Sequence, residues 1–300
     1  MSEVSTKDSR PTREALLRGI ALASLSAVCF GTLPIFAKYA YEDGADPLAL
    51  LAGRFFTTTL LLGAFAAIAK RPVLLPGPRA LRMFLLGALG YAFESALFFA
   101  ALTHAPAAVV SLVFYSYPLW TNIGGIATGL EKFQPRSLVA LGLAAIGIAL
   151  IFSLPDTPLV GLLLALASAL AVTVYYLFAQ VFVRAVDPLA AAIHTAAGAA
   201  LTLTVVGVAT GERLPASALP EAAGLGLVTA VAFVCLYAAV AAIGSAKTAT
   251  THMLEPVTTV VLAAVLLGDD ISGRVAIGAA FIVSALPILA GKKRERPLVE

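Results

Sequence analysis

Residues 248–269, with the sequence TATTHMLEPVTTVVLAAVLLGD, decide the fold because they repeat an earlier part of the same chain. When this segment is moved back by 138 positions, it aligns without a gap on residues 110–131, VSLVFYSYPLWTNIGGIATGLE. Pro256 then falls on Pro118, whereas Glu255 has no acidic counterpart. The shared proline indicates that the two copies have the same architecture, and the carboxylate of Glu255 occurs in the second copy alone.

The composition of the chain is that of an integral membrane protein. Hydrophobic residues make up 60% of its 300 positions and charged residues only 12%, and the mean hydropathy is +0.95. Ordinary globular domains have about 45–50% apolar and about 25% charged residues. The two cysteines lie inside apolar runs, where they are typical core residues rather than parts of a disulfide or a metal site.

Ten apolar segments of about 20 residues, the length that crosses a bilayer as a helix, follow one another with short breaks. Acidic residues and prolines mark several of these breaks, as at Asp46-Pro47 and Asp187-Pro188. The chain is therefore predicted to be an all-α integral membrane protein with ten transmembrane helices. Their predicted positions are 19–39, 47–69, 81–102, 106–128, 137–154, 158–182, 188–209, 219–243, 247–267 and 273–291.

Lysine and arginine predict the orientation of these helices, because cytoplasmic loops are enriched in both. If the N-terminus is cytoplasmic, the inside segments hold sixteen of these residues and the outside loops hold only Arg213 and Arg274. The outside loops carry acidic residues instead, among them Asp156, Asp269 and Asp270. We therefore predict that residues 1–18 and 292–300 are cytoplasmic tails of a multi-pass protein.

The repeat extends beyond the opening segment. Residues 19–47 echo residues 161–188, so that helices 1–5 (residues 19–154) repeat as helices 6–10 (residues 158–291). Because five is an odd number, the second copy enters the membrane from the opposite side, which makes an inverted-topology repeat. Transporters built in this way bind their substrate near the midplane, at the interface of the two copies. Small residues in helices 5 and 10 predict that these two helices pack closely and stay away from the cavity.

Four motifs together carry a family resemblance. They are residues 31–38 (GTLPIFAK), Arg54-Phe55, residues 117–131 and residues 254–269. A chain with these motifs resembles the EamA family of the drug/metabolite transporter superfamily over nearly its whole length. The resemblance implies ten helices in two inverted repeats and transport of small metabolites. Within the family, the aromatic-rich pattern with a single tryptophan is most similar to the bacterial amino-acid exporters of the YddG type. The chain departs from the family pattern at Gly268-Asp269, where Gly-Glu is more usual.

Ionisable residues inside the predicted helices are candidate functional residues, since a charge in lipid is costly. They are Lys38, Arg54, Glu94, His194, His252 and Glu255. Arg54 and Glu94 lie at similar depths of about 10 and 12 Å at ~1.5 Å per residue, which predicts an ion pair. That pair is either a structural bridge or gate, or it binds the carboxylate or ammonium group of a zwitterion. Lys38 is either a gate residue or an interface anchor that reaches the headgroups.

Glu255 lies in helix 9 with His252 three positions and Thr251 four positions before it, so one helical face can present all three. Pro256, like Pro118 in the first copy, lacks a backbone donor and is predicted to kink its helix or to line a cavity. The carboxylate of Glu255 is predicted to bind a substrate ammonium group or to carry a coupling proton. The alternative is a structural carboxylate that hydrogen bonds to a neighbouring helix neutralise.

Aromatic residues supply the apolar part of the predicted site. A tyrosine hydroxyl needs a hydrogen-bond partner and therefore favours an orientation away from lipid. Tyrosines near the midplane are thus predicted to line a cavity for an apolar or aromatic side chain. They are Tyr91, Tyr117, Tyr175, Tyr176 and Tyr237.

The sequence contains no phosphate-binding glycine motif, no dinucleotide fingerprint and no Cys/His set with metal spacing. We therefore expect no cofactor, no enzymatic activity and no nucleic-acid partner. The favoured function is secondary transport that exports small metabolites, foremost aromatic and other apolar or neutral amino acids, across the bacterial inner membrane by alternating access. A multidrug or nucleotide-sugar carrier ranks lower, because phosphates would need more cavity cations than Lys38 and Arg54. A membrane-embedded enzyme or sensor would need a catalytic constellation or a soluble domain. Uniport, proton antiport and exchange all remain open.

Overall fold

The computed structural model describes residues 13–102, 104–105, 107–151, 158–183, 186–267 and 272–290. All regular secondary structure in these ranges is helical. The C-terminal tail 292–300 and residues 1–12 of the N-terminal tail lie outside the described residues. So do the acidic residues Asp156, Asp269 and Asp270, which we predict in the outer loops.

In the first half of the chain, eight α-helices are interrupted by one π-helical segment. They are α1 (Arg13–Gly31), α2 (Leu33–Glu42), α3 (Pro47–Ile68), α4 (Gly77–Leu85), the π-helical segment (Leu86–Tyr91), α5 (Ala92–Leu102), α6 (Ala107–Phe114), α7 (Tyr117–Ala127) and α8 (Pro135–Ile151). One residue separates α1 from α2 and two residues separate α6 from α7, whereas the π-helical segment joins α4 to α5 without a break.

The second half contains longer uninterrupted helices. They are α9 (Leu159–Val183), α10 (Pro188–Thr210), a 3-10 turn (Ala216–Ala218), α11 (Leu219–Ile243), α12 (Ser245–Thr251), a second 3-10 turn (His252–Leu254), α13 (Glu255–Leu262), a π-helical segment (Ala263–Leu267) and α14 (Gly273–Ala290). The second 3-10 turn joins α12 to α13, and it carries His252 three positions before Glu255.

Seven helical stretches in the described residues are long and apolar enough to cross a bilayer. They are Arg13–Glu42, Pro47–Ile68, Gly77–Phe98, Leu159–Val183, Pro188–Thr210, Ala216–Ile243 and Ser245–Leu266. Two shorter apolar helices, Pro135–Leu150 and Gly273–Ile288, accompany them. Large apolar side chains remain exposed on their outer surfaces, such as Phe65 at 55% and Val208 at 76%. A surface of this kind suits lipid, and the all-helical multi-pass fold is confirmed in this form.

The prolines that the two repeat motifs share lie at helix starts rather than at bends within a helix. Pro118 lies in the first turn of α7, just after the break that ends α6 at Phe114. Pro256 is the second residue of α13 and follows the 3-10 turn. A proline in the first turn loses no hydrogen bond, because that backbone donor has no partner inside the helix. The predicted kinks are therefore short interruptions placed just before each proline.

Helix α1 has a similar interruption at Gly31-Thr32, ahead of Pro34 in the first turn of α2. The amide of Ile35 donates to the Thr32 carbonyl at 3.1 Å, which leaves the Gly31 carbonyl outside the helical pattern. The hydroxyl of Thr259 on α13 donates to that carbonyl at 2.8 Å. A side chain of α13 thus satisfies the carbonyl that the interruption of α1 leaves free. The motifs at residues 31–38 and 254–269 are therefore in contact.

The helices of the two halves pack in reciprocal pairs. Helix α1 packs on α11 and α5 packs on α9, while α3 packs on α10 and α8 packs on α14. In the last pair, a Cβ atom at Gly147 would lie 2.6 Å from a side-chain atom of Ile282 and 2.5 Å from the Gly278 carbonyl oxygen. Small residues permit this close approach in a membrane. Helices α8 and α14 contribute no residue to the cavity described below, in agreement with their predicted role as packing elements.

The ends of α3 and α10 are tied together by acidic side chains. Asp187 caps α10 by accepting from the backbone amides of Leu189 and Ala190. Asp46, its echo in the first repeat, makes no such cap. Instead Glu212 accepts from the first amides of α3, at 2.7 Å for Leu48. The repeated Asp-Pro pair therefore marks a helix start in both copies, although the two starts use different caps.

Candidate functional site

A cavity of about 700 Å³ lies between the two halves of the chain. This volume is within the range of small-molecule sites, about 300–1,000 Å³. Its walls come from both repeats: Phe30, Leu33, Pro34, Ala37, Lys38, Tyr41, Glu42, Leu50, Leu51, Arg54, Tyr91, Glu94, Ser95, Phe98, Ser111, Phe114, Tyr115, Tyr117, Val172, Tyr175, Tyr176, Leu225, Leu236, His252, Glu255 and Thr259.

The cavity extends from the exposed end of α2 to the break between α12 and α13. Lys38 and Glu42 border it at the α2 end, where Glu42 is exposed to solvent. At the other end, the helices are joined by buried amide side chains. Gln180 accepts from the backbone amide of Ser245 at 2.6 Å and donates to the Leu130 carbonyl at 3.2 Å. These bonds close the packing between α9, α12 and the end of α7.

Asn122 adds a further link at the closed end. Its side-chain amide donates to the Pro118 carbonyl at 2.8 Å and to the Thr250 hydroxyl at 3.3 Å. Only 5% of Asn122 is exposed, and the same is true of Gln180. Because both amides are buried and bonded across helices, they hold α7, α9 and α12 in one closed arrangement.

Glu255 and His252 form a polar pair on the cavity wall. Nδ1 of His252 lies 2.7 Å from Oε1 of Glu255, and the side chains are 1% and 15% exposed. The Tyr176 hydroxyl lies 3.2 Å from the same Nδ1, and Tyr115 is hydrogen bonded to Glu255. Nε2 of His252 is buried without a hydrogen-bond partner in the described structure. Side chains from α9, α12–α13 and the α6–α7 junction thus meet at one carboxylate.

Arg54 is buried to 95% on α3, where it also borders the cavity. Its Nε donates to the Thr229 hydroxyl at 2.7 Å, and Nη2 donates weakly to the Tyr91 hydroxyl at 3.4 Å. The guanidinium carbon lies 4.7 Å from the centroid of the Phe55 ring, which is a cation–π distance. Within the described part of the chain, no carboxylate lies within 4 Å of this guanidinium.

The predicted ion pair between Arg54 and Glu94 is therefore not formed in this structure. The Glu94 carboxylate accepts instead from the hydroxyls of Ser95 at 3.1 Å and Ser168 at 3.4 Å. Matched depth along two helices does not by itself bring side chains together, because each helix can rotate about its axis. Both charged groups nevertheless border the same cavity, together with Lys38 near its mouth.

Four of the five tyrosines expected at the midplane line the cavity: Tyr91, Tyr117, Tyr175 and Tyr176. Tyr237 does not. It is fully buried behind the cavity wall, where its hydroxyl lies 2.7 Å from the Tyr175 hydroxyl and donates to Thr195 at 2.7 Å. The hydroxyl is satisfied by polar groups of α9 and α10, so Tyr237 hydrogen bonds to the cavity residue Tyr175 without lining the cavity itself.

Thr251 is also displaced from its predicted place on the cavity wall. It is fully buried, and its hydroxyl donates to the Lys247 carbonyl of its own helix at 2.9 Å. The cause is the 3-10 turn, in which residues three positions apart share a face and residues four positions apart do not. His252 therefore keeps its alignment with Glu255, while Thr251 loses it. His194 likewise bonds within its own helix, at 2.8 Å from the Ala190 carbonyl.

Several cavity residues have no distinctive sequence signal. Tyr115 belongs to the aromatic-rich stretch 114–117, and Phe30 is one apolar residue among others in its helix. The partners Ser95, Ser168 and Thr229 are small hydroxyl residues that fit any apolar helix. The signal that could have found Phe30 is its position directly before the interruption of α1. For Ser95, the signal is its place beside a buried carboxylate.

Phe30 lies between the Arg54 guanidinium and the His252 imidazole. Its ring centroid is 5.7 Å from the His252 ring and 5.9 Å from the Arg54 guanidinium carbon. The guanidinium and the imidazole are consequently at most about 12 Å apart. Tyr91 packs edge-on against Phe55 and Tyr175, at 5.2 and 5.5 Å between ring centroids. The cavity thus combines a cation, a carboxylate and aromatic walls, which suits an amphipathic solute that carries both charges.

Comparison with known proteins agrees with this architecture. No curated protein shows significant sequence similarity to the chain. Among 29 matching solved chains is a crystal structure with 23% sequence identity and a TM-score of 0.75; the match covers 92% of this chain and 97% of that chain. The profile of the EamA-like transporter family matches residues 17–153 and, a second time, residues 159–290. Because two copies of the family profile span nearly the whole sequence, the chain belongs to the EamA-like transporter family.

Proposed function

We propose that this membrane transporter exports small amphipathic metabolites, foremost amino acids with aromatic or other apolar side chains, across the bacterial inner membrane. Membership of the EamA-like family implies transport of small substrates. The finer assignment to amino acids is ours, and it agrees with the likeness to exporters of the YddG type. It rests on the chemistry of the cavity.

The observation that carries the proposal is the buried guanidinium of Arg54. It is 5% exposed, borders the cavity and has no carboxylate partner within 4 Å among the described residues. A buried cation with no carboxylate in direct contact is costly in a membrane protein, which favours a closer anionic partner from outside the chain. The carboxylate of an amino acid supplies such a partner, in a geometry that a guanidinium binds with two hydrogen bonds.

Glu255 offers the complementary group for the ammonium end of the same solute. It borders the same cavity, and its carboxylate is hydrogen bonded to His252. The rings of Phe30, Tyr91 and Tyr175 provide apolar wall between and around the two charged groups. An apolar or aromatic side chain would bury its surface against these rings.

The reciprocal helix packing supports ten transmembrane segments in two inverted repeats. The first helix of each repeat packs on the third helix of the other, and the second and fifth helices pack on their own counterparts. Contacts of this kind are typical of two units related by a two-fold axis. With both termini cytoplasmic, the end of the cavity at Lys38 and Glu42 opens to the outside, and the end at Gln180 is closed toward the cytoplasm. Alternating access would reverse these two states.

One feature favours a second candidate, the export of apolar organic cations. Two carboxylates, Glu94 and Glu255, border the cavity and could pair with a cationic drug. Against this stands Arg54, since a cation would leave its guanidinium unpaired. Phosphorylated sugars fit less well, because among the described cavity residues only Lys38 and Arg54 are cationic.

Counterflow in proteoliposomes tests the proposal. Vesicles loaded with unlabelled amino acid should take up the same radiolabelled amino acid faster than empty vesicles, for phenylalanine and leucine most of all. The Arg54→Gln variant should lose this activity, whereas Arg79→Gln, an exposed arginine outside the cavity, should keep it. Counterflow of an apolar cation without counterflow of any amino acid would instead support the second candidate.

A further inference from the structure

We propose that Glu255 and His252 form a proton-binding site, whose proton exchanges with the ammonium group of the substrate, so that export is coupled to proton entry. This inference deepens the proposed function and rests on it for the identity of the substrate. Its proton-binding part stands on the geometry of the pair alone.

The first argument is the absence of a permanent cation beside Glu255. Within the described residues, its only charged or chargeable partner within 4 Å is His252, at 2.7 Å. The other bonded group is the neutral hydroxyl of Tyr115. A carboxylate in a membrane interior needs either a proton or a cation. With a neutral imidazole beside it, the pair carries one negative charge, and one proton or one ammonium group restores neutrality.

The second argument is the unsatisfied nitrogen of His252. Because an ionised carboxylate only accepts, Nδ1 carries the hydrogen that points to Glu255, and Nε2 is the atom that gains or lacks a proton. Nε2 is buried and has no hydrogen-bond partner in the described structure, although His252 borders the cavity. An orphaned nitrogen of this kind is unusual in a buried position. A proton bound at Nε2 would make the imidazole the cation that neutralises Glu255, and this would give the nitrogen a role.

The third argument concerns the groups that face the pair from the helices packed around it. Helix α9 presents Tyr176, whose hydroxyl is 3.2 Å from Nδ1, and the α6–α7 junction presents Tyr115 and Tyr117. Helix α1 presents the uncharged Phe30. The charged groups Arg54 and Glu94 lie further along the same cavity, with Tyr91 beside them. Among these groups, the carboxylate of Glu255 and the imidazole of His252 are two chargeable groups in direct contact, at 2.7 Å, whereas the carboxylate of Glu94 is bonded to the hydroxyls of Ser95 and Ser168.

The exchange follows because a proton and the substrate ammonium group compete for the single negative charge of the Glu255–His252 pair. When the cavity opens outward, as in this structure under the proposed orientation, the pair binds a proton as the substrate leaves. With the Glu255–His252 pair neutralised by the proton, the cavity then reverses to face the cytoplasm, where an arriving ammonium group displaces the proton. One proton enters for each zwitterion exported, so the cycle moves one positive charge inward. Substrate cannot be exported without a proton, because the unloaded carboxylate would cross the midplane as a bare charge.

Proton release from purified protein in detergent tests the binding step. Saturating L-phenylalanine in weakly buffered solution should release about one proton per wild-type chain, as read by an indicator dye. Glu255→Gln should release none, while Glu14→Gln, which changes an exposed carboxylate outside the cavity, should release as much as the wild type. Independently of any ligand, acid titration should show proton uptake by the wild type that Glu255→Gln lacks. Equal uptake by both proteins overturns the inference even if phenylalanine is transported.

Proteoliposomes with an interior about one pH unit more acidic than the outside test the coupling. With the membrane potential clamped at zero, phenylalanine should accumulate inside to about tenfold, the ratio that one proton per substrate sustains. Glu14→Gln, which changes an exposed carboxylate outside the cavity, is the matched control and should accumulate phenylalanine equally.

The two proposals fail in different ways. Counterflow without accumulation would refute proton exchange and leave amino-acid transport standing. Proton uptake that depends on Glu255, without counterflow of any amino acid, would refute amino-acid transport and leave the proton site standing.

Discussion

Replacement of Arg54 by glutamine offers the sharpest test of substrate recognition. The change removes the guanidinium that borders the cavity but keeps a polar side chain that can still meet Thr229. A hydrogen bond to a charged group contributes about 1.5–3 kcal/mol. If Arg54 binds the substrate carboxylate, affinity for L-phenylalanine should fall about 10- to 150-fold.

The assay compares two ligands on two proteins. Phenethylamine has the ring and ammonium group of phenylalanine but no carboxylate. Binding of each ligand to wild type and to Arg54→Gln, by calorimetry in detergent, forms a cycle that isolates the coupling between guanidinium and carboxylate. General damage to the cavity weakens both ligands equally and cancels. We expect the wild type to prefer phenylalanine and the variant to lose that preference.

A loss of less than threefold for phenylalanine would refute this reasoning, as would an equal loss for both ligands. In either case Arg54 would be a structural residue, held by Thr229 and the Phe55 ring for packing alone. The Arg79→Gln variant controls for the loss of one positive charge from the protein, since Arg79 is exposed and outside the cavity.

Three further substitutions test the framework of the site. Tyr237→Phe removes a buried hydroxyl with two hydrogen bonds and should lower the stability in detergent by about 1–3 kcal/mol, with substrate preference unchanged in counterflow. Gly31→Ala places a Cβ 2.6 Å from Thr258 Cβ, which should cost about 1–3 kcal/mol and slow transport, whereas Gly142→Ala meets nothing within 4 Å and should be silent. Gln180→Ala removes the hydrogen bonds to Ser245 and Leu130 at the closed end of the cavity. A cysteine introduced at that end should then react faster with a thiol reagent. An unchanged rate would contradict the proposal that Gln180 keeps this end closed.

Much of the site could be predicted from sequence because ionisable residues in lipid must face the protein interior. That rule selects six residues without any structure. Lys38, Arg54, Glu94, His252 and Glu255 border the cavity, and His194 does not. The same reasoning applied to tyrosine is correct for four residues of five. It does not distinguish Tyr237, because a buried hydroxyl is satisfied equally well by a neighbouring helix as by a cavity.

The sequence by itself determined the membrane class, the family and the two-fold repeat, since these depend on composition and on spacing along the chain. Tertiary structure alone decided which polar groups meet. Glu94 bonds to two serines instead of Arg54, and Thr251 turns away from Glu255 because a 3-10 turn replaces α-helix between them. The physical reason is rotation about the helix axis: sequence fixes depth at about 1.5 Å per residue, whereas packing against neighbouring helices fixes direction.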